Sequence, residues 1–268
     1  MTAAGASLEA GSVDVGGEPC RVLAKGTGEP VGYLGGLKGV PTWLPFLDEL
    51  ARSRRVVVPS LPGFPGGAPT AFRDLDDQLD WIGATLDLLE GAGLAGCDLI
   101  ASSFSGMLAA DLAALAPGFV RRLVLIAPWG LYDTSDPGTD YFAKTEDEQA
   151  ALLASDPARV EAALKAPAGM DEMDWAIETF HRTNEAAARV SWPFGDRGLR
   201  KRLHRITVPT LVVWGEDDRV LPASYAKRFE AGISGPTSTV TMPGCAHDCA
   251  VDAPEQTADH VLRFLAGG

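Results

Sequence analysis

Short apolar runs alternate with longer runs of helical periodicity along most of this chain, and that alternation constrains its fold more than any other feature. The run RRVVVPS at 54–60 holds three consecutive valines, as is typical of a strand buried in a parallel sheet. The segment 74–92 repeats apolar residues on one face of a helix: Leu75, Leu79, Ile82, Leu86 and Leu89. Further strands are predicted at 30–36, 97–102, 121–128, 208–215 and 237–244, and further helices at 41–53, 104–117, 222–233 and 253–268.

This order of elements predicts one type of architecture. Strands that alternate with helices form βαβ units, so we expect an α/β protein with a mostly parallel, doubly wound sheet of about eight strands. A weak alternation broken by VGGEP adds an N-terminal antiparallel hairpin, with strands near 11–16 and 19–25. The segment 129–205 has helical patches and no convincing strand, which predicts a helical cap inserted after the sixth strand. The core then comprises 1–128 and 206–268.

Charge, hydrophobicity and cysteine content limit the binding partners and the cellular location that we expect. The net charge of −13 disfavours nucleic acids and anionic membrane surfaces, which select basic patches. No run approaches the roughly 20 apolar residues that span a bilayer. The N-terminal MTAAGASLEAGSVDV lacks the basic start and apolar stretch of a signal peptide, and four cysteines are too few for a disulfide framework. We therefore expect a cytoplasmic protein that acts on a small molecule, with a homodimer left open.

Three reactive side chains fall at the ends of predicted strands. Ser103 follows the strand at 97–102, while Asp218 and His247 follow the two C-terminal strands. Open α/β sheets bind ligands outside the carboxyl ends of their strands, so these three side chains can share one site. A serine hydroxyl is a weak nucleophile until a base activates it, and an acid keeps a histidine base in the needed tautomer. The pattern therefore predicts Ser103 as nucleophile, His247 as base and Asp218 as acid.

The chain resembles the α/β-hydrolase fold superfamily over nearly its full length, in the serine-nucleophile subgroup with a helical cap. The chain order serine, acid, histidine is the order of that superfamily. The stretches that carry the resemblance are YLGGLKGVPTWLPFLDELARSRRVVVPSLPGFPGG, LIASSFSGMLAADLAALAP, RITVPTLVVWGEDDRVLP and TMPGCAHDCAVDAPEQTADHVLRFL. By resemblance they are the oxyanion strand with its following helix and loop, the nucleophile elbow, the acid strand and the histidine loop with the last helix.

The elbow departs from the G-x-S-x-G fingerprint, because Ala101 and Ser105 stand where the glycines would be. Both residues are small, which is what a strained backbone and close helix–strand packing require. Two other serines compete for the nucleophile's role. Ser102 would put the bulky Phe104 at the second position after it, and Ser105 would lie one turn into the helix. A serine-rich helix cap without chemistry is the remaining alternative.

The base and the acid also have rivals. His247 follows a strand and a Pro-Gly turn, whereas His181, His204 and His260 lie in the cap, at its exit and in the last helix. The family spacing G-x-x-D, counted from Gly215, selects Asp218 over its neighbour Asp217.

By resemblance, the backbone N–H groups of Leu37 and Phe104 form the oxyanion hole. The family usually has histidine where this chain has Gly35, which removes side-chain bonds that would brace the loop but keeps the backbone donor. Substrate contacts are expected at Gly36 beside this loop, and at four aromatic residues of the cap segment: Trp129, Tyr132, Trp175 and Trp192.

No metal or cofactor is expected. CAHDC places Cys245, His247 and Cys249 at alternate positions, but it lacks a fourth ligand nearby and the usual zinc spacing. GGLKG lacks the full phosphate-loop pattern.

The resemblance implies hydrolysis of a small, largely apolar ester or lactone through an acyl-enzyme. A serine at the elbow argues against dehalogenase and epoxide hydrolase chemistry, which the family performs with aspartate there. Three alternatives stay open: a C–C bond hydrolase of ring-cleavage products, a cofactor-free lyase, cyclase or perhydrolase, and a ligand-binding protein with weak turnover. In the first group tryptophan commonly follows the catalytic histidine, whereas Asp248 follows it here.

Overall fold

A computed structural model describes residues 7–193 and 195–267. Within these residues one sheet of eight strands runs in the order β1-β2-β4-β3-β5-β6-β7-β8. The strands are β1 Glu9–Val15, β2 Glu18–Lys25, β3 Pro30–Leu34, β4 Arg55–Pro59, β5 Cys97–Ser102, β6 Val120–Ile126, β7 Thr210–Gly215 and β8 Thr237–Met242. The helices are α1 Pro45–Ala51, α2 Gln78–Gly91, α3 Ser103–Leu115, α4 Glu146–Leu153, α5 Pro157–Ala163, α6 Glu172–Ala176, α7 Thr183–Ser191, α8 Ser224–Gly232, α9 Cys249–Asp252 and α10 Pro254–Leu265.

The predicted doubly wound sheet is confirmed. The strands β3 to β8 pair in parallel, while β2 is antiparallel to both β1 and β4. The β1–β2 hairpin turns at Gly16 and Gly17, whose φ angles of 64° and 83° suit the left-handed turn that matches strand twist. The chain leaves β3 for β4 on one side and returns to β5 on the other. The strand order therefore reverses beside β3 and β5, and such a switch point is where open α/β sheets bind ligands.

The two faces of the sheet are covered by two apolar clusters. One face packs against α2, α3 and α8, and the other packs against α1, α9 and α10. The Ala-rich helix α3 is buried at every position except Leu115, which places it at the centre of the first layer. This burial holds the start of α3 rigidly at the end of β5.

Two helix predictions need correction. The helix expected from 41 begins at Pro45, because proline suits the first turn and residues 41–44 form a bend and loop. The helix expected from 74 begins at Gln78 after the N-cap Asp77, whose carboxylate accepts hydrogen bonds from the N–H groups of Leu79 and Asp80. With that start Leu79 is 67% exposed. Ile82 and Leu89 are buried as predicted, and Trp81, Thr85 and Leu88 belong to the same buried face.

Between β6 and β7, the described residues form helices α4 to α7, short 3₁₀ turns and a π-helical turn at Ile177–Arg182, without a strand. This is the segment predicted to be a cap, and its status as a separate unit stays a prediction. No helix in the described part of the chain has the length and apolarity needed to cross a membrane. All four cysteines are free thiols.

Candidate active site

Ser103 lies at a sharp turn between β5 and α3. Its φ is +52°, in the left-handed region that non-glycine residues rarely adopt. The Trp129 N–H donates a 3.0 Å hydrogen bond to the Ser103 carbonyl oxygen, which ties the turn to the chain after β6. A Cβ at Gly106 would lie 2.9 Å from the Pro128 Cβ, so glycine is required where the helix passes that segment. Strained backbone of this kind persists where the surroundings fix it, often at functional sites.

His247 and Asp218 continue a chain of hydrogen bonds from Ser103. The Ser103 Oγ lies 2.7 Å from His247 Nε2, and His247 Nδ1 lies 2.8 Å from Asp218 Oδ2. A carboxylate only accepts hydrogen bonds, so Nδ1 carries the proton and Nε2 accepts from the serine hydroxyl. The imidazole is 1% exposed and the carboxylate is fully buried. The three groups are therefore arranged for proton transfer from Ser103 to His247 away from water.

The turn after β7 orients Asp218 rather than Asp217. The Asp218 Oδ1 accepts hydrogen bonds from the N–H groups of Val220 at 2.8 Å and Leu221 at 2.9 Å, which leaves Oδ2 for His247. Asp217 is exposed. A Cβ at Gly215 would lie 1.9 Å from the Ala246 carbonyl oxygen, so only glycine lets the acid strand approach the histidine loop this closely.

The loop after β3 lies directly over Ser103. A Cβ at Gly36 would be 3.1 Å from the Ser103 Cβ, and the loop closes with a 2.9 Å hydrogen bond from Gly39 N–H to the Gly36 carbonyl. The Leu37 N–H has no acceptor within the described residues. Phe104 stands in the first turn of α3, where N–H groups lack intrahelical acceptors. Both predicted oxyanion donors thus remain available to a ligand.

Ser105 forms a contact that the sequence does not reveal. Its hydroxyl, buried completely, donates a hydrogen bond to the Gly35 carbonyl oxygen. The residue at the position of the second fingerprint glycine thereby braces the loop that lacks the family's histidine. Gly35 itself is sterically required, because a Cβ there would lie 2.6 Å from backbone atoms of Gly39.

The cavity at Ser103 is small, at about 20 Å³. That is close to the minimum for one water molecule. The cavity is lined by Gly36, Leu37, Lys38, Gly39, Ser102, Ser103, Leu153, His247 and Asp248. In this conformation the cavity has room for about one water molecule and not for an organic substrate.

Of the predicted pocket residues, only Gly36 lines this cavity. Trp129 is buried and its ring packs edge-on against Phe142 at a centroid distance of 5.9 Å. Trp175 is also buried and donates through Nε1 to the Leu164 carbonyl, whereas Tyr132 is half-buried and Trp192 is 54% exposed.

Asp248 is a second residue whose setting the sequence does not reveal. Burial raises the pKa of its carboxyl from 3.8 to about 6, despite the neighbouring His247. Its Oδ1 has no hydrogen-bond partner within the described residues, while its backbone N–H donates to the Leu153 carbonyl at 2.8 Å. An acidic group with a raised pKa therefore lies at the cavity wall beside the proposed base.

Within residues 7–193 and 195–267, no group of three or more histidine, cysteine, aspartate and glutamate side chains is placed to hold a metal ion.

Comparisons with known proteins show the family to which the chain belongs. The sequence model of the Alpha/beta hydrolase family matches residues 36–260. The chain is 30% identical over 267 residues to the dihydrolipoyllysine-residue acetyltransferase component of the acetoin cleaving system of Pseudomonas putida, covering 94% of this chain and 68% of that protein. It is 26% identical over 277 residues to a 2-hydroxy-6-oxo-6-(2'-aminophenyl)hexa-2,4-dienoic acid hydrolase of Metapseudomonas resinovorans, covering 95% and 90%.

The structures are alike as well. The 2-hydroxy-6-oxo-6-phenylhexa-2,4-dienoate hydrolase of Rhodococcus sp. strain RHA1 superimposes with a TM-score of 0.76 at 17% identity, covering 97% of this chain and 99% of that one. The strand order, the turn at Ser103 and the matched sequence agree, and the chain belongs to the alpha/beta hydrolase family of enzymes.

Proposed function

We propose that this protein is a serine hydrolase that cleaves a small, largely apolar ester or lactone through an acyl-enzyme. The observation that carries the proposal is the continuous hydrogen-bond chain from Ser103 Oγ through the His247 ring to Asp218 Oδ2, with steps of 2.7 and 2.8 Å. The left-handed backbone of Ser103 supports it, because that conformation presents the hydroxyl above the sheet.

In the first half-reaction, Ser103 Oγ attacks the acyl carbon while His247 Nε2 takes the hydroxyl proton. Asp218 stabilises the imidazolium that forms and keeps Nδ1 protonated. His247 then donates its proton to the leaving alkoxide as the C–O bond breaks. In the second half-reaction, His247 removes a proton from water, and the water oxygen attacks the acyl carbon. The bond from the acyl carbon to Ser103 Oγ then breaks, His247 returns its proton to Oγ, and the acid leaves. The proton transfers in these steps use only water and side chains of this chain.

The N–H groups of Leu37 and Phe104 stabilise the negative oxygen of the tetrahedral intermediate. Losing one donor of such a hole typically costs about 3 kcal/mol. Ser105 contributes indirectly, because its bond to Gly35 holds the loop that carries Leu37.

A curated relative supports ester cleavage. A monoacylglycerol lipase of Mus musculus is 26% identical over 243 residues, covering 84% of this chain and 71% of that protein. A serine-directed fluorophosphonate probe and a short p-nitrophenyl ester test the proposal together. We expect the probe to label Ser103, and we expect Ser103→Ala to abolish labelling and to lower kcat by about 10⁴-fold or more.

Ser102→Ala is the matched control, because it removes the adjacent rival hydroxyl, which lies 3.3 Å from Tyr33 Oη in a hydrogen bond. This variant should still be labelled. Labelling that survives in Ser103→Ala, or ester cleavage at the parent rate, contradicts the proposed nucleophile.

A second candidate is hydrolysis of a C–C bond in a ring-cleavage product, favoured by the near full-length match to the Metapseudomonas resinovorans hydrolase. Both reactions can use the same three side chains. Kinetics on a vinylogous 1,5-diketone acid beside the p-nitrophenyl ester separates them: a kcat/KM that is higher for the diketone acid selects the second candidate.

A further inference from the structure

Lys38 occupies an unusual place for a lysine. It follows Leu37 in the oxyanion loop, lines the same cavity as Ser103 and is only 9% exposed. Its ammonium lies 4.7 Å from the ring centre of Phe180 and 5.8 Å from that of Tyr141. A charge is thus held between the loop and the predicted cap segment, in mainly aromatic surroundings.

The protein supplies too few hydrogen-bond acceptors for the Lys38 ammonium. Lysine has three N–H donors, and Nζ makes one recorded hydrogen bond, of 2.8 Å, to Gln149 Oε1 on α4. Among the described residues Nζ forms no salt bridge, and Glu146 acts on it only through its electrostatic field. Buried charges are normally paired because desolvation is costly. Burial accordingly lowers the pKa of Lys38 to about 8.

Other buried polar atoms around Lys38 also lack partners in the described structure. The hydroxyl of Tyr141, a fully buried residue, has no hydrogen-bond partner, and neither does the Asn184 Oδ1. The Asn184 amide instead donates to the Gln149 Oε1 at 3.4 Å, so both Lys38 and Asn184 converge on that one acceptor. Unsatisfied groups of this kind are uncommon in native proteins and call for a physical explanation.

We propose that Lys38 determines substrate specificity by binding a carboxylate carried by the substrate of the Ser103 site, with the Tyr141 hydroxyl as a second donor. The inference rests on the proposed function, because it assumes that the ester bond is cleaved at Ser103. A single ammonium flanked by aromatic rings matches one negative charge on a largely apolar molecule. Because the net charge of −13 repels anions from the protein as a whole, an anionic substrate needs a local cation such as this one.

The contacts also indicate how the carboxylate is accommodated. Gln149 is fully buried on α4, and the π-helical turn at Ile177–Arg182 carries Phe180 over the ammonium. When these elements move away to admit a substrate, Lys38 exchanges Gln149 Oε1 for a carboxylate oxygen. Hydrogen bonds between charged partners are stronger than those to an amide, so the exchange favours the carboxylate-bearing ligand.

Two substrates that differ only in charge test the proposal: mono-p-nitrophenyl glutarate and its methyl ester. The parent should have the higher kcat/KM for the free carboxylate. In Lys38→Met the ratio of the two kcat/KM values should fall by about tenfold to hundredfold, and Lys38→Arg should restore much of it. Lys227→Met, which removes an exposed lysine on α8, is the matched control and should keep the parent ratio.

An equal loss for both esters in Lys38→Met would assign Lys38 a structural role and overturn the proposal, and so would an unchanged ratio. Circular dichroism and thermal melting show whether the Lys38→Met variant folds. If it does not fold, Tyr141→Phe removes only the second donor, and it should lower the same ratio.

Calorimetric titration with glutarate separates this inference from the proposed function, because it needs no turnover. Parent protein should bind glutarate and Lys38→Met should bind it more weakly by the same factor. If Ser103 is labelled by the fluorophosphonate and glutarate does not bind, only the carboxylate site is wrong. If glutarate binds through Lys38 and Ser103 is not labelled, the proposed chemistry is wrong and the anion site stands.

Discussion

Ser105 Oγ donates a hydrogen bond to the carbonyl oxygen of Gly35, and so joins the first turn of α3 to the oxyanion loop. Ser105 stands where the family fingerprint has glycine, and Gly35 stands where the family usually has histidine. These two residues, which both depart from the family pattern, are in contact although they lie 70 positions apart in the sequence. We therefore expect the serine hydroxyl to brace the loop that lacks the family's histidine side chain.

Removing this brace should weaken catalysis more than folding. We expect Ser105→Ala to lower kcat on a p-nitrophenyl ester by about tenfold, because a loosened loop places the Leu37 N–H less accurately. Steady-state kinetics and urea unfolding measure the two effects separately. Thr85→Val is the control, since Thr85 is a buried residue whose hydroxyl also donates to a carbonyl, that of Trp81, away from the site. Equal kcat values for both variants would contradict the role of Ser105.

Gly35 should tolerate no side chain. In Gly35→Ala the new Cβ would approach the Gly39 backbone to 2.6 Å, so the loop must shift and both kcat and the free energy of unfolding should fall, the latter by about 1–3 kcal/mol. Gly83→Ala is the opposite case. A Cβ there meets nothing within 4 Å in the interior of α2, and helix propensity should stabilise the fold by up to about 1 kcal/mol. Thermal unfolding of both variants checks the contrast.

Replacing Asp218 should lower kcat far more than replacing its neighbour Asp217. Asp218→Asn keeps an oxygen for the Val220 and Leu221 N–H groups but presents an amide to His247, which favours the wrong imidazole tautomer. We expect kcat to fall by about 10⁴-fold, as in comparable triads. The exposed Asp217 has no such contact, and Asp217→Asn should retain parent kcat. A large loss in both variants would indicate disruption of the turn rather than loss of the acid.

Asp248 should lower stability at neutral pH. Burial raises the pKa of its carboxyl from 3.8 to about 6, so the folded protein holds a proton that the unfolded chain has lost. The stability linked to this proton is present below about pH 4 and disappears as pH rises through about 6. Asp248→Asn should therefore be more stable than the parent at pH 7.5, by about 1–3 kcal/mol, and the difference should shrink towards pH 4.5.

Urea unfolding at the two pH values measures this difference. Asp147→Asn, on the exposed side of α4, is the control and should change stability little at either pH. A difference for Asp248→Asn that is the same at both pH values would refute the titration of this carboxyl.

The preference for carboxylate-bearing esters should itself depend on pH. Burial lowers the pKa of Lys38 from 10.5 to about 8, so the folded protein loses this ammonium as pH rises through about 8, while the unfolded chain keeps it longer. Tyr141 and Phe180 face the ammonium, Glu146 acts on it from α4, and Asp248 and His247 line the same cavity. We expect the ratio of kcat/KM for the glutarate ester to that for its methyl ester to fall with a midpoint near pH 8.

Lys38→Arg should shift this midpoint out of the measurable range, because a guanidinium keeps its proton. Any effect of pH on the chemical step common to both esters cancels in the ratio. A ratio that stays constant from pH 6.5 to pH 9.5 would be incompatible with recognition by Lys38.

Most of the sheet can be predicted from the sequence because hydrophobic periodicity is a local signal. The valine run of β4 and the apolar run of β5 each show their burial without reference to the rest of the chain. The spacing from Gly215 likewise leads to Asp218, since an Asx turn at a strand end is local chemistry. Helix starts are harder to predict, because a proline suits the first turn of a helix at either position: the helix expected from 41 begins at Pro45.

The contacts that shape the site depend on residues distant in sequence. Lys38 meets Gln149 across 111 positions, and no local pattern indicates that a lysine in a glycine-rich loop is buried. The same limit applies to the aromatic residues expected in the pocket. Trp129 and Trp192 share a residue type and a segment, yet one is 3% and the other 54% exposed. Their burial depends on how helices of the predicted cap segment pack, which periodicity does not specify.

The cavity of about 20 Å³ at Ser103 bears on which step limits the rate of turnover. A space of that size holds about one water molecule, so we expect an organic substrate to bind only after the loop at Lys38 and α4 move apart. Such rearrangements occur on microsecond to millisecond timescales and often limit well-evolved enzymes. Bulky esters should accordingly differ from small ones in their rate of admission more than in their rate of acylation.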